Sequence, residues 1–173
     1  MKSKIHEHKS SIKIFASKKI VFILAFIAIA FSQNSFGQDS TKTSASQLLS
    51  TYYQLKDNLV KSNAISAASS AGDLVKAINA ADIHTANDET KAKLLTDADA
   101  IARSKDLKQQ RQSFSNLSNN MFELAKKVKL SPEPVYQQYC PMKKASWLSP
   151  DKAIKNPYYG SAMLTCGTVK ATL

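Results

Sequence analysis

The chain has only four glycines in 173 residues. An ordinary all-β protein needs a tight turn every few residues, and glycine supplies many of them. So few glycines therefore exclude a β-rich sandwich or barrel and leave helices as the main element. There is no glycine-rich phosphate loop and no pairing of a nucleophile with a base. Apolar runs are also scarce, since only Ile20 to Phe31 is long and unbroken. At about a dozen residues it is short for a membrane span and right for the core of an export signal.

That run explains much of the charge. Lys2, Lys4, Lys9, Lys13, Lys18 and Lys19 precede it, and Ser35-Phe36-Gly37 follows with small residues at the −3 and −1 positions. The pattern predicts a signal peptide over 1–37, cleaved before Gln38, and a periplasmic protein. No cysteine stands directly after the apolar run, so a lipid-anchored form is not expected, and no stable span remains after cleavage. The leader carries six Lys and one Glu, which leaves +6 of the chain's +11 net charge to the remainder. The remaining lysines are scattered, with no basic groove interleaved with aromatics, which argues against nucleic acid as a partner.

Removing 37 of 173 residues leaves 136, enough for a single domain over 38–173 with one core. Ser44 to Gln47 reads as a capping box. Leu48, Tyr52, Leu55 and Leu59 then follow at helical spacing. A second helix is expected from Asn63 to Ala80, with Ala68, Ala71, Val75 and Ile78 on one stripe. A third follows Asn87-Asp88-Glu89 and carries Leu94, Ala98 and Ile101. The fourth has the clearest period: Leu107, Phe114, Leu117, Met121, Leu124 and Val128. Ser104 or Asp106 caps it, and Lys126, Lys127 and Lys129 complement the dipole of its last turn. Ser131-Pro132-Glu133-Pro134 stops it. The expected fold is mainly α: an antiparallel four-helix bundle over about 44–130 with a small irregular β-containing module over about 132–173.

Within that module Val135 to Tyr139 and Met163 to Val169 read as strands. Trp147-Leu148-Ser149-Pro150 and Asn156-Pro157-Tyr158-Tyr159-Gly160 read as turns. About 40 residues are too few to fold unaided. The tail must dock on the helices, be cross-linked, or bind metal. Arg111 is a candidate to pin it by hydrogen bonds.

Both cysteines lie in this tail, in Tyr139-Cys140-Pro141-Met142 and Met163-Leu164-Thr165-Cys166-Gly167. Thiolate and thioether sulfur are the donors that soft Cu(I) prefers, so Cys140, Met142, Met163 and Cys166 form a sufficient metal set. In an extended segment Cys140 and Met142 share a side. Tyr139, Trp147, Tyr158 and Tyr159 could shield a metal or serve as packing. One alternative is a Cys140–Cys166 disulfide closing a loop of about 26 residues, worth on the order of 3 kcal/mol, with the methionines as core filler; the other is a pair of free buried thiols. The metal and disulfide readings coexist if the pair binds metal only when reduced. His84 is the one histidine left after cleavage and falls in a loop. An enzyme is not expected. A thiol oxidoreductase would want a Cys-x-x-Cys spacing, and these cysteines are far apart in sequence.

Taken together, Val135-Tyr136, Cys140-Pro141-Met142, Trp147-Leu148-Ser149, Asn156-Pro157-Tyr158-Tyr159-Gly160, Met163-Leu164 and Cys166-Gly167 resemble the DUF3347 family. Asp106-Leu107, Gln110-Arg111, Phe114 and Leu117-Ser118 resemble its fourth-helix pattern. The resemblance covers nearly all of 38–173 and is strongest from about Asp106. This family consists of exported bacterial domains of unknown function, some attached to periplasmic adaptor subunits of heavy-metal efflux pumps. The resemblance therefore implies a role in copper or related metal handling, with a heavy-metal efflux adaptor or other envelope protein as partner. Many members carry a His just before the fourth-helix Phe, where this chain has Ser113.

Overall fold

The computed structural model describes residues 40–81 and 88–173. The leader with its cleavage point, Asp82 and His84 lie outside the described residues. Among the described residues four helices come first: α1 (Ser40–Val60), α2 (Ala64–Ala80), α3 (Asp88–Arg103) and α4 (Leu107–Lys127). Three short strands follow: β1 (Tyr136–Cys140), β2 (Ala145–Ser149) and β3 (Thr168–Thr172), with a 3-10 turn at Gly160–Met163 before β3. Mainly helical with a small C-terminal sheet is thus the architecture. Among the described residues no helix is long and apolar enough to cross a membrane.

Local chemistry explains most of the helix boundaries. Asn63 caps α2 by accepting the Ser66 N–H at 3.0 Å. Asp106 caps α4 by accepting the Lys108 N–H at 2.9 Å. Ser104 instead accepts the Asp106 N–H, at 3.1 Å, and so steadies the cap from outside the helix. Two expectations change. Ser44 lies inside α1, which begins at Ser40, so it is not a cap. Lys129 falls past the end of α4, leaving Lys126 and Lys127 in its last turn.

Consecutive helices pack in pairs, α1 on α2, α2 on α3 and α3 on α4. Leu48, Tyr52, Leu55 and Leu59 are fully buried, as are Leu94, Ala98 and Ile101. On α2 the buried stripe is Ala67, Ala71, Leu74 and Ile78. It is rotated one position from Ala68 and Val75, which are half-buried. A small-residue helix has little apolar contrast between faces, so its rotation is set by its neighbours.

The sheet has order β2-β1-β3 and is antiparallel throughout. Here the reading of Trp147-Leu148-Ser149 as turn is corrected. These residues form β2, with Trp147 opposite Gln138 and Leu148 opposite Gln137. Pro150, which suggested a turn, stands just past the strand and ends it. The strand expected from Met163 is likewise shorter: Met163 closes the 3-10 turn, and β3 starts at Thr168.

The tail docks on the helices through β2 and α4. Tyr52 of α1 joins this contact from the other side. Its hydroxyl shares a 2.7 Å hydrogen bond with Ser118 Oγ on α4 and accepts the Leu148 N–H of β2 at 3.1 Å. Three elements thus meet at one buried oxygen, and burial pushes its ionisation well above the ordinary tyrosine range. Replacing Tyr52 with Phe leaves Ser118 and a buried strand N–H short of a partner. The expected cost is about 1–3 kcal/mol, read as a lower urea midpoint with an unchanged m-value. No change in midpoint would mean that the hydroxyl contributes nothing.

Candidate functional site

Cys140 is the last residue of β1 and faces the buried side of the sheet with Gln138, Trp147 and Ala145. Cys166 lies in the loop between the 3-10 turn and β3. The fold brings their Sγ atoms to 2.9 Å as free thiols. Cys140 is fully buried, and Cys166 is partly exposed.

The loop that carries Cys166 is held from beneath. Asn156 is fully buried and donates from Nδ2 to the Cys166 carbonyl at 2.8 Å. Its backbone N–H donates to the Leu164 carbonyl, and its Oδ1 accepts the Tyr158 N–H, both at 2.8 Å. The Cys166 N–H closes a turn onto the Met163 carbonyl at 3.1 Å. Gly167 then passes so close to Trp147 that a Cβ would lie 2.9 Å from its ring. Only glycine allows the chain to enter β3 over that indole.

The two thiols differ electrostatically. Burial resists ionisation of Cys140, but hydrogen bonds from the Cys166 thiol, the backbone at Lys143 and Met142 and the Asn156 side chain outweigh it. The net effect holds Cys140 below the ordinary thiol value. The proton-sharing contact with Cys140 holds Cys166 above that value, and burial adds to the effect.

The methionines are placed differently. Side-chain alternation would put Met142 beside Cys140 only if the strand continued, but β1 ends at Cys140. Met142 lies in the turn between β1 and β2 and is 66 % exposed. Met163 is half-buried at the end of the 3-10 turn. Among the described residues, no three or more His, Cys, Asp or Glu side chains gather as a cation site.

The aromatics form a spine. Trp147 meets Tyr158 edge-on at 6.0 Å, Tyr158 meets Phe114 at 5.9 Å, and Phe114 stacks on Tyr52 at 5.4 Å. Tyr158 donates to the Ser146 carbonyl at 2.6 Å. Burial pushes its pKa above the ordinary tyrosine range, and the charge of an ionised Cys140 works in the same direction. Tyr139 sits next to Cys140 along β1, so alternation turns it to the opposite face, where Lys170 lies 5.6 Å from its ring. Tyr159 is half-buried and packs against the core.

Arg111 joins the tail to the helices. Its Nε donates to the Pro157 carbonyl at 2.8 Å, and its Nη2 donates to the Leu59 carbonyl at 3.1 Å and to Ser62 Oγ at 2.9 Å. Sequence reasoning missed Asn156 as the residue that positions Cys166. An Asn before a Pro signals a turn, but nothing local indicates that its amide reaches ten residues onward. The spacing of Tyr52 marks it as an apolar-stripe residue and carries no information about its hydroxyl.

Fold and site define a small, mainly helical domain that presents a dithiol from a β-structured tail. The chain belongs to the family described as protein of unknown function (DUF3347), whose family model matches residues 48–133. That match contains most of α1 and all of α2, α3 and α4, Ser113 and Arg111 included, and stops before β1. The residues around Cys140 and Cys166 lie beyond it. No curated protein and no solved structure matches the chain.

Proposed function

We propose that this is a non-enzymatic, exported periplasmic protein that holds a soft monovalent metal at Cys140 and Cys166. The cargo is Cu(I), with Ag(I) as its mimic, and the recipient is a heavy-metal efflux adaptor or another envelope protein. The reading also takes α1 to α4 as an antiparallel four-helix bundle, on the pairwise packing of consecutive helices and the return of Tyr52 of α1 to α4. It takes Met142 and Met163 as further soft donors on the turns flanking the pair.

The observation that carries this reading is the convergence of two thiols at 2.9 Å across 26 residues of sequence. Two thiolates satisfy a soft ion of low coordination number. The donor set fits with one adjustment. Metal–sulfur bonds of roughly 2.3 Å require the sulfurs to part by roughly 1–1.7 Å before an ion enters, and Cys166 lies on a loop rather than within a strand. Two hydrogen-bonded thiols must also lose their protons on loading, so uptake weakens as pH falls.

The second reading is a disulfide staple in a structural or interaction module. Sulfurs already in contact, with Met142 turned largely to solvent, favour it. Anaerobic titration of the reduced protein with Cu(I) against a chromophoric chelator separates the two. The expected result is one equivalent bound, and none in Cys140→Ser. No competition with the chelator, or equal binding by that variant, overturns the metal reading. A two-hydrogen mass deficit in the protein from the periplasm, unaffected by chelators, supports the staple.

A further inference from the structure

The 26-residue gap between the cysteines counted against thiol–disulfide chemistry on sequence alone, and the fold closes it to 2.9 Å. Access to the two sulfurs is unequal. Cys140 has no exposed surface, enclosed on the buried face of the sheet beside Trp147 and Ala145, which are themselves buried. Cys166 is partly exposed, and Leu164 and Thr165 before it are exposed. The buried Asn156 holds the backbone of this loop at two carbonyls, Leu164 and Cys166. A reagent approaching from solvent therefore meets Cys166 first, with Cys140 directly behind it.

We propose that the pair undergoes thiol–disulfide exchange with a partner dithiol, with Cys166 as the sulfur the partner reaches and Cys140 as the sulfur that leaves. The inference rests on the same site as the metal reading and concerns its oxidation rather than its cargo. In the oxidised pair, a partner thiolate attacks Cys166 Sγ. A partner–Cys166 bond forms, the Cys140–Cys166 bond breaks, and Cys140 departs as a thiolate that takes up a proton. The partner's second thiol loses its proton and attacks the partner's own first sulfur. A partner disulfide forms, and Cys166 is released as a thiol. Two electrons pass from the dithiol to the chain. A partner disulfide drives the reverse sequence, in which Cys140 resolves the mixed disulfide on Cys166. Only the reduced form offers two thiols to a metal, so this exchange decides when the metal site exists.

Glutathione disulfide is a sufficient probe. Reduced full-length protein is mixed with it in the absence of metal, quenched with acid at intervals and weighed by mass spectrometry. Cys140→Ser, which keeps Cys166 and removes the thiol contact that holds its proton, should gain one glutathione at least roughly tenfold faster than Cys166→Ser, because Cys140 is the more acidic thiol but has no surface that a disulfide can reach. Wild type should pass through a short-lived adduct to a form two hydrogens lighter. Peptide mapping of that early wild-type adduct should find the glutathione on Cys166. The mapping keeps the test decisive even if a variant fails to fold and exposes its remaining cysteine. Glutathione on Cys140 in native wild type overturns the proposal, as does a lasting single adduct that Cys140 never resolves. Because no metal is present, a failed Cu(I) titration leaves this result standing, and failure here leaves the titration standing.

Discussion

Replacing Phe114 with Ala is expected to lower the unfolding free energy by about 3–5 kcal/mol. Phe114 is fully buried on α4 and is the middle of the aromatic spine. It stacks on Tyr52 of α1 with an interplanar angle of 19° and meets Tyr158 of the tail at 53°. Truncation removes the apolar area of a whole ring and opens a cavity between three elements that cannot all collapse into it. It also removes two aromatic pair contacts, each worth about 0.5–1.5 kcal/mol beyond area. Trp147 lies one ring further along the spine and is the chain's single tryptophan, so its fluorescence reports on the tail directly. Urea unfolding followed at once by fluorescence and by helical circular dichroism should give one shared transition, displaced to lower urea. A tail transition that separates from the helical one would show that Phe114 couples the two parts. A change below about 1 kcal/mol would contradict the docking role given to this ring.

Gly160→Ala should cost about 2–4 kcal/mol, and much of it should be recoverable at a second site. Gly160 has φ +58, in the left-handed region where a Cβ costs about 1–2 kcal/mol. A Cβ there would also lie 2.6 Å from Ser62 Oγ and 2.8 Å from the Val60 carbonyl oxygen, so the chain must shift. Those atoms belong to the end of α1 and the link to α2, and Ser62 Oγ accepts from Arg111. The tail can approach the helices here because residue 160 has no side chain. Ser62 is itself left-handed at φ 56. Ser62→Gly removes the nearer clash and relaxes that strain, at the loss of one hydrogen bond. A double-mutant cycle should therefore show the pair less destabilised than the sum of the singles. Strict additivity would mean that the clash is relieved elsewhere and that the junction is loose.

The helices were legible because each carries a period that burial must satisfy. Leu48, Tyr52, Leu55 and Leu59 lie on one face in any helix, and a core is the only place for that face. The same logic gave Phe114, Leu117, Met121 and Leu124. It failed on α2, where alanine and serine fill about half of the positions and leave several rotations almost equivalent. The tail was less legible because its short strands depend on partners. Trp147-Leu148-Ser149 before a proline looks like a turn until β1 lies beside it, and Met163 looks like a strand start until Cys166 closes a turn onto it.

For the candidate site, residue chemistry singled out the two cysteines, and neighbouring methionines joined them by proximity in sequence. That proximity fails at a strand end: Met142 is two residues from Cys140 and is mostly in solvent, whereas Cys166 is 26 residues away and in contact. Asn156 and Tyr52 show the same limit. Their polar atoms act across 10 and 96 residues respectively, and no local pattern specifies such a reach.

By itself, then, the sequence determined the four helices, most of their inward faces and the family. Backbone hydrogen bonds and apolar periodicity are local and repeat many times within one segment. Only the tertiary structure decided that the two thiols meet, which of them is buried, and how the tail is anchored by Arg111 and Gly160. Those outcomes depend on single contacts between distant segments, each made once, at distances set by the packing of the whole domain.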